Sequence, residues 1–354
     1  MKIPFFYPYS SDKLIQEVQE VIVSGYWTGG VKVSEAEYLL MEKFNFPNFV
    51  ATSSATSAFE VILDTFFTNE SVNIVVPTNT FATTAEVPKR LGHRVIFCDV
   101  DPISGMIDIN HLSKILKLHE VNAVIPVSIG GALYDRENLI KLKKEYGFKI
   151  IEDLAQLIYP NCFHSAIDAS FFSFYPNKII SSPDGGGMIF SDETMISLAK
   201  ERRLHGIRKF SDGSYDIVEL GRKANMTNIS AAFIIDQLNN FDKKLGRRIS
   251  LYKKYESLLS ENINLVPTYN ANIPSLLIIH SERRNELKTF LKEHGVETSI
   301  HFRPLHLHSH WNNGDTFKGA EEYFRTSLSL PFFECLKDDE IEYICGLIDQ
   351  FHSN

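Results

Sequence analysis

Lys178 stands shortly after the apolar run Phe172-Ser173-Phe174 and is followed by Ile179-Ile180. A lysine just past a buried strand, in apolar company, has its ammonium form disfavoured, which frees the amine to form an imine with a carbonyl. A surface lysine is far commoner than a catalytic one, so the neighbours must decide. Asp153 ends a second buried run, Ile150-Ile151-Glu152. A carboxylate there needs a partner to offset its desolvation. A protonated pyridine nitrogen is such a partner, although for a lone Asp a helix cap or an ion pair is the plainer reading.

Two further segments have the same strand-end placement. Thr52-Ser53-Ser54-Ala55-Thr56-Ser57 lies between a strand and a helix expected to begin near Ala58. Hydroxyls and free amides at a helix N-terminus suit a phosphate, while an ordinary cap explains the segment if it is taken alone. Pro77-Thr78-Asn79-Thr80-Phe81 carries an aromatic side chain that could stack on a flat ligand. Asp184-Gly185-Gly186-Gly187 permits a tight turn or a close backbone approach.

These residues require a frame that gathers strand ends. Seven short apolar runs recur, at Phe49–Thr52, Asn73–Val76, Arg94–Phe97, Ala123–Val127, Phe148–Ile151, Ser170–Phe174 and Gly187–Phe190. Continuous hydrophobicity marks strands covered on both faces, and helical stretches such as Lys13–Ser24 and Leu139–Tyr146 supply the covers. The alternation predicts a mainly parallel α/β sheet, with ligands bound beyond the carboxyl ends of its strands. One long helix is expected over Ile229–Tyr255. A smaller α+β section follows, with strands at Ser275–His280 and Glu297–Phe302 and helices at Ser281–His294 and Asp338–Phe351. We therefore divide the chain into a large ligand-binding α/β domain, residues 1–240, and a small C-terminal α+β domain, residues 241–354.

Composition narrows the partners. A net charge of −8 without a basic run disfavours nucleic acid. The opening MKIPFFYPYSSDKL does not resemble a signal peptide, and no run reaches membrane-spanning length. Cys98, Cys162, Cys335 and Cys345 are scattered, which suits reduced thiols in the cytoplasm better than disulfides or zinc. His301, His306, His308 and His310 form the sharpest metal candidate, because the last three would share one face of an extended chain. No cysteine or carboxylate pair stands near them to complete a site, so no metal is expected.

In order along the chain, Ser24-Gly25-Tyr26-Trp27-Thr28-Gly29-Gly30, Ser54-Ala55-Thr56-Ser57-Ala58, Thr80-Phe81-Ala82-Thr83, Glu152-Asp153-Leu154-Ala155-Gln156, Phe172-Ser173-Phe174 through Lys178, Asp184-Gly185-Gly186, Lys223-Ala224-Asn225-Met226-Thr227-Asn228 and Pro304-Leu305-His306 make a pattern. With it the chain resembles, over nearly its full length, the DegT/StrS family of pyridoxal-phosphate (PLP)-dependent sugar aminotransferases. The resemblance implies a fold-type I transferase: a large, mainly parallel sheet domain, a small C-terminal α+β domain, and a homodimer with shared active sites.

It also implies roles. Lys178 would hold PLP as a Schiff base and shuttle the proton. Asp153 would hold the pyridine nitrogen, Phe81 would stack on the ring, and Gln156 would lie near the phenolic oxygen. Ser54, Ala55, Thr56 and Ser173 would bind the phosphate, with Asn225 reaching it from the partner subunit. Trp27, Thr28 and His306 would border the sugar pocket. The implied reaction moves an amino group from an amino acid such as glutamate, through pyridoxamine 5'-phosphate, to a keto sugar carried on a nucleotide, as in amino sugar and polysaccharide biosynthesis. Ala55 replaces the usual Gly, Pro183-Asp184 replaces Gly-Glu, and Lys223 stands where many members carry Asn. These departures keep a cyclitol or small keto phosphate open as acceptor, and a non-catalytic regulatory relative is the remaining alternative.

Overall fold

The computed structural model describes residues 2–260, 263–266 and 273–353. All seven apolar runs become strands of one sheet. They are β1 (Val50–Thr52), β2 (Asn73–Pro77), β3 (Arg94–Cys98), β4 (Ala123–Val124), β5 (Lys149–Asp153), β6 (Ala169–Ser173) and β7 (Gly186–Phe190), in the spatial order β1-β7-β6-β5-β4-β2-β3. The pairs from β6 across to β3 are parallel, and β7 runs antiparallel to both β6 and β1. The carboxyl ends of β1, β2, β5 and β6 therefore share one sheet edge with the start of β7. That edge is where Ser54, Phe81, Asp153, Lys178 and Asp184 emerge.

Helices cover both faces. In chain order they are α1 (Leu14–Ser24), α2 (Val31–Phe44), α3 (Ala55–Phe66), α4 (Thr83–Arg90), α5 (Ile109–Leu118), α6 (Arg136–Tyr146) and α7 (Thr194–Arg202). One apolar layer stacks Phe59 of α3 on Phe171 of β6, with ring centroids 4.7 Å apart. On the opposite face Phe44, Phe46, Phe49, Phe172 and Phe174 form an aromatic layer beneath α2. The alternation of Phe171 and Phe172 between the two layers is the period-2 pleat of a strand buried on both sides.

A short hairpin, β8 (Ile207–Lys209) and β9 (Tyr215–Ile217), precedes α8 (Asn228–Asn239) and α9 (Phe241–Leu258). The single helix expected over Ile229–Tyr255 is thus two. Asn240 interrupts it by donating its side-chain amide to the Asp236 carbonyl and accepting from the Tyr9 hydroxyl, local bonding that competes with the helical ladder. α8 packs beneath the aromatic layer, whereas Leu251 and Tyr255 of α9 join a separate core. That second core is built on β10 (Asn264–Leu265), β11 (Leu277–His280), α10 (Arg284–Glu293), α11 (Lys318–Thr326), β12 (Ser327–Leu330) and α12 (Asp338–Ser353), with the three strands ordered β10-β11-β12.

The strand expected at Glu297–Phe302 does not form. Glu297 donates to Ile3, Ser299 exchanges backbone hydrogen bonds with Ser329, and Phe302 donates to the Asn79 side chain. Three different partners in six residues draw the segment away from any one ladder. The helix expected near Ala58 begins at Ala55, because the Ser54 hydroxyl accepts from the Ser57 amide and caps it a turn earlier.

β7 passes so close to that cap that a Cβ on Gly186 would stand 2.3 Å from the Ala55 nitrogen. Gly186→Ala should therefore cost about 1–3 kcal/mol in equilibrium unfolding. Gly246→Ala, in the exposed middle of α9 with nothing within 4 Å of the new methyl, should gain roughly 0.5–1 kcal/mol.

Candidate active site

The sheet edge opens into a cavity of about 600 Å³. Ser54, Ala55, Thr56, Phe81, Asp153, Gln156, Ser173 and Lys178 all line it. Each arrives by a short path from a strand end, since β1 leads into the α3 cap, β2 into the Phe81 turn, and β6 into the loop that carries Lys178.

At one end, the α3 N-terminus presents the amides of Ala55 and Thr56, which have no helical carbonyl to donate to. The Thr56 and Thr83 hydroxyls share a 3.1 Å hydrogen bond beside them. Hydroxyls, free amides and the positive end of the helix dipole make this end fit an oxyanion such as phosphate. Phe81 is 62% exposed and presents its ring to the cavity, with Phe302 behind it at 6.0 Å.

Asp153 is buried. One carboxylate oxygen accepts from the Thr84 hydroxyl at 2.9 Å and the other from the Ala155 amide at 3.0 Å. Burial raises its pKa, and these two bonds and the Lys178 ammonium work against that rise. Lys178 Nζ makes no hydrogen bond among the described residues, and burial draws its pKa down to about 8 against the opposing pull of Asp153. Gln156 accepts from the Gly130 amide through its carbonyl oxygen, leaving its NH2 group to donate elsewhere. Two carboxylate oxygens satisfied from behind, an untethered amine and a one-sided anion cradle form a site able to hold a flat aldehyde-bearing ring with a phosphate arm.

Three expected residues lie elsewhere in their own chain. Asn225 bridges to Thr52, outside the cavity lining, and its side-chain oxygen accepts from Lys223. Trp27 and Thr28 pack against the same segment through Asn228 and Thr227, and Trp27 is 55% exposed. His306 also lies outside the lining. It is buried between the Thr78 hydroxyl, at 2.7 Å, and Glu321, at 3.2 Å, where it fixes the Thr78–Phe81 turn instead of lining the cavity. Leu305–Leu307 forms a 3-10 turn, so His306, His308 and His310 do not share one extended face, and among the described residues no cluster suited to a metal occurs.

The C-terminal part of the chain supplies lining residues that sequence reasoning missed. Ser275, Leu276, His301 and Phe302 close the cavity from that side, and Tyr175, Asn177 and Asp184 come from the sheet edge. His301 shares a hydrogen bond with Ser329 at 2.8 Å, and burial together with the Lys178 charge brings its pKa down to about 3, so it stays neutral. Its place in the histidine cluster is the signal the sequence offers, but the cluster was weighed there only as a metal site, which was set aside.

A family model described as the DegT/DnrJ/EryC1/StrS aminotransferase family matches residues 8–349. The spore coat polysaccharide biosynthesis protein SpsC of Bacillus subtilis (strain 168) is 27% identical over 368 aligned positions, which cover 96% of this chain and 94% of SpsC. A DegT DnrJ EryC1 StrS aminotransferase from Brucella abortus superposes with a TM-score of 0.89 at 26% identity, covering 97% of this chain and 96% of its own. Helicobacter pylori PseC, an aminotransferase involved in the biosynthesis of pseudoaminic acid, shares the fold at a TM-score of 0.92 and 21% identity over the whole of both chains.

The lowered Lys178 pKa has a direct consequence. Below pH 8 the ammonium form does not attack a carbonyl, and above it the free amine does. Trapping of a small aldehyde by cyanoborohydride at Lys178, followed by peptide mass spectrometry, should rise through a midpoint near pH 8. Exposed lysines should rise near their ordinary value of about 10.4.

Proposed function

The chain belongs to the DegT/DnrJ/EryC1/StrS aminotransferase family, whose members depend on pyridoxal phosphate, and from that premise we propose that it moves an amino group from an amino acid, glutamate in the simplest case, to a keto sugar carried on a nucleotide. The observation that carries this reading is the meeting of Lys178 and Asp153 in one cavity with an anion cradle at its end.

Bound there, PLP supplies an electron-accepting ring that makes protons on an attached carbon removable. The chain's own groups do the rest. The Ala55 and Thr56 amides and the Thr56 and Ser173 hydroxyls would hold the phosphate. Phe81 would cover one ring face, the Gln156 NH2 group would donate to the ring oxygen, and ionised Asp153 would keep a proton on the ring nitrogen. Lys178 Nζ, a free amine on the alkaline side of pH 8, takes the proton from the substrate α-carbon and returns it at the end of the transfer. Neutral His301 adds no positive charge beside that amine. The net exchange turns the amino acid into its 2-oxo acid and the keto sugar into an amino sugar.

The pocket wall favours a polyhydroxylated acceptor. Ser275, Tyr175, Asn177 and Asp184 offer hydroxyl, amide and carboxylate groups along the lining, with buried Asn177 Oδ1 lacking a partner among the described residues. The name of SpsC supports a place in polysaccharide synthesis. A homodimer is supported by the exposed apolar residues Val23, Tyr26, Trp27, Val31, Ile217 and Leu220, the last 93% exposed. In such a dimer Trp27, Thr28 and Asn225 would complete the neighbouring cavity. Four unpaired cysteines are compatible with work in the cytoplasm.

Added PLP should give an absorbance near the visible–ultraviolet border that borohydride fixes on Lys178. Lys178→Ala should fold but lose at least about 10²-fold in turnover, and retained turnover would remove Lys178 from the reaction. A panel of keto sugars, with and without nucleotide, should show turnover with the nucleotide-linked members. Turnover confined to cyclitol ketones or small keto phosphates would overturn the proposed acceptor.

A further inference from the structure

Behind the Lys178 loop, on the side away from the cavity, lies a second set of buried charges. Lys244 and Arg248 stand one turn apart on α9, each only 2% exposed, and both face the Glu334 carboxylate, whose side chain is 7% exposed. Arg248 grips it through two nitrogens at 2.9 and 3.4 Å, and Lys244 approaches at 3.5 Å. The remaining donors of the two cations go to backbone and amide oxygens of segments that form the cavity. Lys244 donates to the carbonyl of Ile179, the residue after Lys178, and to Gln237, which also accepts from the Ser181 hydroxyl at 3.3 Å. Arg248 donates to the carbonyls of Pro274 and Ser275 at 3.4 and 3.1 Å, and Ser275 lines the cavity.

A buried ion cluster is a poor way to gain stability, because apolar side chains of the same volume commonly do as well. What apolar groups cannot do is bind carbonyls. The carbonyls bound here belong to the Lys178 loop on one side and to the Ser275 wall on the other. We infer that Lys244, Arg248 and Glu334 form a brace that positions the Lys178 loop against the Ser275 wall, with Lys244 setting the place of the amine and Arg248 the place of the acceptor wall. The inference rests on the reading of Lys178 as the reacting amine. The three are positioning residues, since none lines the cavity.

Lys244→Met is the sharper probe, because it leaves the Arg248–Glu334 pair whole. In the full-length chain stripped of cofactor, propionaldehyde trapping at Lys178 should shift its midpoint up by about one pH unit as the loosened amine gains water. In the loaded enzyme kcat should fall about tenfold while the acceptor KM stays within about twofold. Arg248→Met should do the reverse, raising the acceptor KM several-fold with the trapping midpoint unmoved. Ser181→Ala, which removes a single hydroxyl from the same network, should shift the midpoint in the same direction by less, and it serves if Lys244→Met does not fold. A merely structural cluster would lower the melting temperature without moving the midpoint. An unmoved midpoint in both Lys244→Met and Ser181→Ala overturns the brace. Failure of the wild type to transaminate, with the midpoint shift intact, would overturn the proposed function and leave the brace standing.

Discussion

The site depends on the cost of keeping charge out of water. Lys178 and Asp153 are held in one cavity, where burial penalises the charged form of each and their mutual attraction restores part of it. For the carboxylate two hydrogen bonds are added, from Thr84 and Ala155, so its ionised form has fixed support. The amine has none. This asymmetry gives the pair its chemistry, with one partner anchored to hold charge and the other left to gain and lose a proton within reach of neutral pH. An amine surrounded by donors and acceptors would have been pinned in place and held to one protonation state.

Such an arrangement needs a scaffold that brings strand ends together without letting water reach their stems. The sheet does this with strands buried on both faces. β6 sends Phe171 into one layer and Phe172 into the other, so the strand leading to Ser173 and Lys178 is fixed by packing on both sides. β7 runs back along β6 and brings Asp184 to the same edge, and its Gly186 allows contact with the α3 cap that no larger residue fits. The anion cradle at the α3 N-terminus and the lysine loop are therefore held to each other through a single strand.

Much of this was legible in the sequence because it is local. Strands buried on both faces announce themselves as unbroken apolar runs, and residues at their ends are then placed by the strand rule alone, as Asp153, Ser54 and Phe81 show. The resemblance added roles that no spacing could give. What was not legible depends on contacts between distant segments. Ser275 reaches the cavity because its amide donates to Gly130, and His301 because the chain around it is shared among Ile3, Asn79 and Ser329. No local pattern encodes such sharing, so Glu297–Phe302 read as a strand. The break at Asn240 was missed for a related reason. A helix-period pattern continues across it, and the side-chain bonds that stop the helix reach back to Asp236 and out to Tyr9. The partners of His306 were equally out of reach of the sequence, since its ring meets Thr78 and Glu321 from distant segments.

The neutral state of His301 follows from the same desolvation that sets Lys178. Burial in the cavity penalises the charged form of each of these two basic groups that line it. The lysine begins with much the higher intrinsic basicity, so the same penalty leaves it near pH 8 and drives the imidazole to about 3. Once Lys178 is protonated its charge further opposes protonation of the histidine, so the two cannot compete. Across the pH range in which the enzyme would work, the histidine is a fixed dipole tied to Ser329 and the lysine is the group that titrates. Exchanging their distances from Asp153 would not exchange these roles, because the gap in intrinsic basicity, about four pH units, exceeds what one neighbouring carboxylate ordinarily shifts.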